Sequence, residues 1–276
     1  MPRKRTKSQE MRQRSYSVLG KFYDQLWPSK PKEWRSARQK MLGSLLPQLR
    51  TVCDLGCGTG ATSIEFARRG LKVLALDLSR EMCRITREKA QKEGLELRVH
   101  RADMRSFRLP APVDLVTSEW GVINHLRRKR DLAKVIRAVF RALRPGGYFY
   151  FDLHQRRFHE GWAEPIVYDN ENFFLASQGG YEPGPGCGWS EMTFFVSHPG
   201  GVWKRETHLF QQIHWSHAEI LRALRSAGFD SIRLFDFRDL FAPPSPRPVR
   251  GSLRTMYLAK KSAKSVTSQV GSRRLG

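Results

Sequence analysis

The sequence predicts an α/β fold in which a mostly parallel sheet is covered by helices. Three observations carry that expectation. Between residues 51 and 153, short apolar runs alternate with helical stretches. A glycine loop joins the first of these runs to the helix after it. Past residue 160 the rhythm changes to short aromatic runs divided by Gly and Pro pairs. Strands that alternate with helices imply right-handed crossovers and hence a parallel sheet.

The elements follow in order. Residues 32–46 form a helical pattern, with Trp34, Met41, Leu42, Leu45 and Leu46 as its apolar stripe. Val52–Leu55 is a short buried strand, followed by the glycine loop and a helix from Ala61 to Arg69 that Gly70 stops. Leu71–Leu76 is a second buried strand, and Ser79 caps a helix reaching Lys92. Leu95–His100 alternates like a third strand and Val113–Ser118 is a fourth. A charged helix spans Lys129–Leu143, and Pro145-Gly146-Gly147 breaks the chain before a fifth strand, Tyr148–Leu153. The runs Ile166–Tyr168, Phe173–Ala176, Met192–Ser197 and Thr207–Ile213 read as hairpins of an antiparallel insertion placed at 160–213. The core then resumes: Ser216 caps a helix to Ala227, Gly228 ends it, and Ser231–Phe237 and Ser252–Ala259 are the last strands.

The 276 residues suit one elaborated domain, assigned to residues 15–260. The net charge of +23 is concentrated at the ends, where residues 1–14 contribute +5 and residues 243–276 contribute +8. Residues 1–14 and 261–276 are therefore expected to be solvated, disordered basic tails. They offer attraction to nucleic acid, but lack the interleaved aromatics of a dedicated interface, so that partner is not favoured. The four cysteines, Cys53, Cys57, Cys83 and Cys187, have no zinc-ligand spacing, and no metal is expected. No apolar run approaches the length of a membrane span and no secretory signal is evident, so a cytoplasmic chain without a membrane partner is expected. Composition says nothing about oligomeric state.

The chemistry begins at Asp54-Leu55-Gly56-Cys57-Gly58-Thr59-Gly60. Glycines allow a sharp turn and let a ligand lie against bare main chain. A dinucleotide loop has GxGxxG spacing and seats a pyrophosphate at the helix N-terminus. Here the third glycine comes one residue early and an acid precedes the first, which argues against a dehydrogenase and suits a cationic ligand. Asp77 ends the second strand, where a carboxylate can accept from both ribose hydroxyls. Asp103, after the third strand, can accept from an adenine amine while Met104 packs on the ring.

With these segments, and with Asp114-Leu-Val-Thr-Ser-Glu119 and Ala142-Leu-Arg-Pro-Gly-Gly-Tyr148, the chain resembles the class I S-adenosylmethionine-dependent methyltransferases. The resemblance implies a Rossmann-like seven-stranded sheet of order 3-2-1-4-5-7-6, with one antiparallel strand in the last hairpin. It implies that Asp54, Gly56, Cys57, Gly58 and Gly60 hold the methionine moiety of S-adenosylmethionine, Asp77 the ribose, and Asp103 and Met104 the adenine, with Leu78 also on the cofactor. S-adenosylhomocysteine is then the product. Phe22-Tyr-Asp-Gln-Leu-Trp27 looks like a cofactor-covering segment. Tyr16 or Tyr23 then closes over the sulfonium, or else these rings anchor a helix to the core.

Methyl transfer is an in-line displacement in which alignment supplies much of the rate. The candidates at the acceptor are Glu119, Trp120, Asn124, His125 and His154. Glu119 is assigned to the methionine end of the cofactor, and Trp120 and Asn124 to the acceptor. His125 reads as a general base or as a structural histidine, and His154 as a second catalytic candidate or a loop residue. Ser118-Glu-Trp-Gly-Val-Ile-Asn-His125 departs from the Asn/Asp-Pro-Pro-aromatic motif of nucleic-acid N-methyltransferases. The insertion resembles the lid of enzymes related to glycine and sarcosine N-methyltransferases. Arg205 is placed to pair with a substrate carboxylate. Glu206 and His208 share one strand face, either pocket or exposed, and Tyr168, Trp189 and Trp203 are read as lid core. A small-molecule acceptor leads. An RNA or ribosomal-protein acceptor and a non-catalytic cofactor-binding module are the alternatives.

Overall fold

The computed structural model describes residues 7–27, 31–237 and 251–263. Two helices open the chain, α1 (Lys7–Leu26) and α2 (Pro31–Leu42). The alternating core follows: β1 (Thr51–Leu55), α3 (Ala61–Arg68), β2 (Lys72–Asp77), α4 (Arg80–Lys92), β3 (Leu97–Arg101), β4 (Val113–Ser118), α5 (Lys129–Ala142) and β5 (Leu143–His154). A short helix α6 (Arg156–Glu160) leads into four strands, β6 (Ile166–Asp169), β7 (Phe173–Glu182), β8 (Cys187–His198) and β9 (Val202–Ile213). The chain closes with α7 (His217–Ala227), β10 (Phe229–Asp236) and β11 (Arg254–Lys261).

The core sheet runs β3-β2-β1-β4-β5-β11-β10, which is the expected 3-2-1-4-5-7-6 when core strands alone are counted. Strands β1 to β5 pair in parallel, and β11 is antiparallel to both neighbours. Crossover helices cover both faces, as a parallel sheet requires. On one face Leu132, Val135, Ile136 and Val139 of α5 and Ile220 and Leu224 of α7 pack on Cys53, Val116 and Phe149. Each such buried aliphatic side chain contributes about 1.5–3 kcal/mol. On the other face Trp34, Ala37 and Met41 of α2 meet Val52, Leu115 and Tyr150.

Strands β6 to β9 form a second, antiparallel sheet. Its apolar face presents Phe173, Leu175, Phe194 and Phe210 to Leu19 and Phe22 of α1. The first helix is thus the layer between insertion and core, with Gly20 close against Met82 and Ile85 of α4.

Four expectations are corrected. Residues 7–14, expected as a disordered tail, are the first turns of α1. Lys261 is the end of β11, with Nζ donating to Phe140 O and Leu143 O at 2.7 Å. Residues 1–6 and 264–276, the remainder of the two tails, lie outside the described residues. Strand β5 starts at Leu143, because Pro145-Gly146-Gly147 makes a bulge instead of a break. The register against β4 jumps from Val113↔Leu143 to Leu115↔Tyr148, with Gly146 at φ +77°. Trp203, read as lid core, is exposed on β9, whereas Tyr168 stacks on Phe173 with ring centres 5.0 Å apart.

Candidate active site

A cavity of about 460 Å³ opens where the C-terminal ends of β1 to β4 meet α1 and β9. That is where ligands sit in open α/β sheets. Its floor is the glycine loop. Gly56 N and Cys57 N both donate to Leu76 O, at 2.7 and 3.0 Å, which turns the chain sharply off β1. Gly56, Gly58 and Gly60 all have left-handed φ angles, of +77°, +54° and +89°. Their reasons differ. A Cβ at Gly56 would sit 2.5 Å from Val122 Cγ1, and one at Gly60 2.7 Å from Thr86 Cγ2, whereas one at Gly58 meets nothing within 4 Å. Gly58 lines the cavity and offers it bare backbone; Gly60 is not in the lining and is required for packing on α4.

Asp77 lines the cavity with a carboxylate fixed by two backbone donors, Gly58 N at 3.0 Å to Oδ2 and Ser79 N at 2.7 Å to Oδ1. Each oxygen keeps a second lone pair for a ligand. Asp54 is buried and accepts from Ser63 Oγ; burial pushes its carboxyl up to about 6, against the pull of that hydrogen bond and of Arg38. Glu119 is also buried in the cavity wall, paired to Arg38 Nη1 at 2.6 Å and to Thr117 Oγ1 at 3.0 Å. Burial nevertheless pushes it up to about 7. Asp103 lies in the lining next to Met104, but Arg105 grips its carboxylate from Nε and Nη2. Burial works against its charge, and the guanidinium outweighs burial to hold it below the usual carboxylate range. Cys57 and the exposed Leu78 complete this end.

Helix α1 closes the cavity with Tyr16, Tyr23 and Asp24, and Trp27 just past its end joins them. Thr59 Oγ1 donates to Asp24 Oδ1 at 2.7 Å, and Lys89 pairs with the same carboxylate, so the helix is tied across the glycine loop. Burial pushes the Tyr23 phenol up to about 12. The opposite end is walled by Trp120, His125 and residues 209–211 of β9. Trp120 holds a left-handed φ of +70°, unusual for an aromatic residue, and stacks on Trp34 with ring centres 4.4 Å apart. The strained turn is pinned by Asp152, which accepts from Gly121 N at 3.0 Å and pairs with Arg254 at 2.5 Å.

Several expected acceptor residues lie elsewhere. Asn124 is fully buried outside the lining and braces the fold: Nδ2 donates to His154 O and Ile213 O, and Oδ1 accepts from His154 N. His154 is buried behind the wall, stacked on Phe158 at 3.7 Å. Burial and the Arg254 charge hold its imidazole well below its ordinary range. Arg205, Glu206 and His208 are on β9 but outside the lining; Arg205 is exposed and Glu206 pairs with Lys204 and His208. Directly after His208 on the same strand, Leu209, Phe210 and Gln211 take the lining positions. Sequence reasoning also missed Arg38, Asp24 and the Asp152–Arg254 pair, whose partners are remote in the chain.

The site suits S-adenosylmethionine in its donor set. It combines open backbone at Gly58, a fixed carboxylate at Asp77, and two buried carboxylates, Asp54 and Glu119, that a cationic ligand would relieve. Residues 52–147 match the family model described as a methyltransferase domain. The chain is 28% identical to the protein YqeM of Bacillus subtilis (strain 168), over 90% of this chain and 97% of that one. It is 24% identical to the dTDP-3-amino-3,4,6-trideoxy-alpha-D-glucopyranose N,N-dimethyltransferase of Streptomyces venezuelae, over 68% and 78%. The fold superposes on an S-adenosylmethionine-dependent methyltransferase from Clostridium acetobutylicum ATCC 824 with a TM-score of 0.74 at 23% identity, covering 90% and 99%. Glycine loop, acidic strand ends, sheet order and sequence relatives agree: residues 52–147 match a methyltransferase domain, and the chain is similar in fold and motifs to the class I S-adenosylmethionine-dependent methyltransferases.

Proposed function

We propose that this methyltransferase acts on a small-molecule amine, with Tyr16 and His125 at the acceptor. The observation that carries this reading is the roof. Helix α1 and strand β9 cover the cavity, so the acceptor end is a pocket walled by Tyr16, Trp120, His125 and Phe210 and not an open surface. Within it, Tyr16 Oη lies 3.0 Å from His125 Nε2, a hydroxyl–imidazole pair able to take up a proton. The Streptomyces venezuelae relative is named for transfer to the amino group of a dTDP-linked sugar, which supports an amine acceptor.

The cofactor supplies an electrophilic methyl on a sulfonium. Asp54, Gly56, Cys57, Gly58 and Glu119 are assigned to its methionine end, Asp77 and Leu78 to the ribose, and Asp103 and Met104 to the adenine. Asp103 shares its carboxylate with Arg105 in that role. The chain's own contribution is alignment and exclusion of water, which raise effective concentration and so the rate. His125 accepts the proton that the amine must lose. Trp120 and Gln211 shape the acceptor pocket. The test is formation of S-adenosylhomocysteine by the purified chain across aminosugar nucleotides, small amines, small carboxylates and bulk RNA. Turnover is expected with an amine; turnover confined to RNA would overturn the reading.

A further inference from the structure

Behind His125 lies a buried group of polar side chains that the proposed reaction does not use. Gln212 of β9 is 6% exposed, His154 is 6% and His159 of α6 is 0%. Gln212 Oε1 lies 2.8 Å from His154 Nδ1 and 3.1 Å from His159 Nε2. Gln212 Nε2 lies 3.1 Å from His125 Nε2, the same nitrogen that meets Tyr16 Oη.

We propose that Gln212 is a positioning residue: its amide, oriented by His154 and His159, keeps His125 Nε2 unprotonated at the cavity wall. A carboxamide only accepts at one end and only donates at the other, so two arrangements exist. In the first, Oε1 accepts from both histidines and the NH2 donates to His125 Nε2. The nitrogens left over, His154 Nε2 and His159 Nδ1, have no partner among the described residues and are then bare lone pairs. In the reverse arrangement both leftover nitrogens carry a proton that has no acceptor. Orphaned buried N–H groups are the rarer feature of folded proteins, so the first arrangement is selected.

The two donor rings are held in place independently. A Cβ at Gly121 would stand 2.5 Å from His154 Cε1, and one at Gly188 would stand 2.6 Å from His159 Cδ2. Both imidazoles therefore rest on backbone that only glycine leaves clear. Asn124 clamps the backbone of His154 on both sides and reaches Ile213, next to Gln212. Burial keeps both rings neutral, holding His159 down at about 4 and His154 well below its ordinary range. Reversing the amide therefore requires both buried rings to change tautomer. His125 is thus presented with the proton on Nδ1 and with Nε2 as the acceptor of the Gln212 amide, a hydrogen bond that Nε2 gives up when it takes a proton.

The role in transfer rests on the reading of His125 as proton acceptor; the tautomer lock does not. The test is long-range ¹H–¹⁵N NMR of the full-length, ¹⁵N-histidine-labelled chain at neutral pH, with signals assigned by single His→Asn variants. The expected wild-type set is Nδ1–H for His125, Nδ1–H for His154 and Nε2–H for His159. In Gln212→Glu the donor facing His125 becomes an acceptor, so Nε2 of His125 gains a proton while affinity for S-adenosylhomocysteine stays within about twofold. A wild-type His125 protonated on Nε2, or a His125 signal indifferent to Gln212→Glu, would overturn the proposal. If that variant does not fold, the three wild-type tautomers alone decide. If they are as expected but His125→Asn turns over an amine at the wild-type rate, the proton-acceptor reading fails and the lock stands.

Discussion

Single carboxylates decide how this cavity treats charge. Asp77 is held by two backbone donors, so Asp77→Ala removes the carboxylate proposed as the ribose acceptor and loosens the loop at Gly58. Hydrogen bonds to charged groups contribute about 1.5–3 kcal/mol, so affinity for S-adenosylhomocysteine should fall about 10- to 100-fold by calorimetry. Unchanged affinity would contradict the ribose assignment. Asp54 and Glu119 give a pH prediction. Burial raises them to about 6 and about 7, above their values in an unfolded chain. Their contribution to stability is therefore full below about pH 4 and lost as pH rises through 6 to 7. A ligand that brings an ammonium beside them gains from the same ionisation. Affinity for S-adenosylhomocysteine should rise between about pH 5.5 and 7.5, and Asp54→Asn should flatten the rise. A pH-independent wild-type affinity would contradict it. As cavity-lining residues, Asp54, Asp77 and Asp103 were legible because each stands at a strand end beside a local motif. Arg38 and Arg254 were not: their partners Glu119 and Asp152 lie 81 and 102 positions away, brought near by the packing of α2 on the sheet and by the pairing of β5 with β11.

Elements whose ends are set by local chemistry were legible in full. Ser216 accepts from Glu219 N and Glu219 returns the bond, a complete capping box, and Gly228 closes α7 at φ +105°. Ser216→Ala should cost about 1 kcal/mol in urea denaturation, and a change below a few tenths would mean that tertiary contacts hold the turn instead. Ser79 caps α4 in the same way, accepting from Met82 N. The Pro-Gly-Gly stretch misled because a strand bulge and a strand end use the same residues. Helix α1 misled for another reason: its apolar residues cover a sheet that lies some 150 positions downstream, so charge dominated the reading of its first turns. The Thr59–Asp24 bond ties that helix over the glycine loop. Thr59→Val should leave the global unfolding midpoint nearly unchanged but speed cofactor release several-fold in stopped-flow measurements. Equal release rates would show that α1 is held by its apolar face alone.

Among the described residues, α1 lies between the second sheet and α4 of the core, and the cavity opens beside it. The core sheet was legible because strand and helix periods alternate cleanly from β1 to β5. The second sheet was legible as hairpins, but its register was not. That register sets which stretch of β9 reaches the cavity: Leu209, Phe210 and Gln211 line it while Arg205, earlier on the same strand, stays outside. The central claim is that this cavity holds S-adenosylmethionine, with the transferable methyl toward Tyr16 and His125. A crystal structure of the chain with S-adenosylhomocysteine tests it most directly. The predicted result places the ribose on Asp77, the adenine beside Met104 and the sulfur facing the Tyr16–His125 pair; a nucleoside bound away from Asp77, or a sulfur turned from that pair, would contradict it.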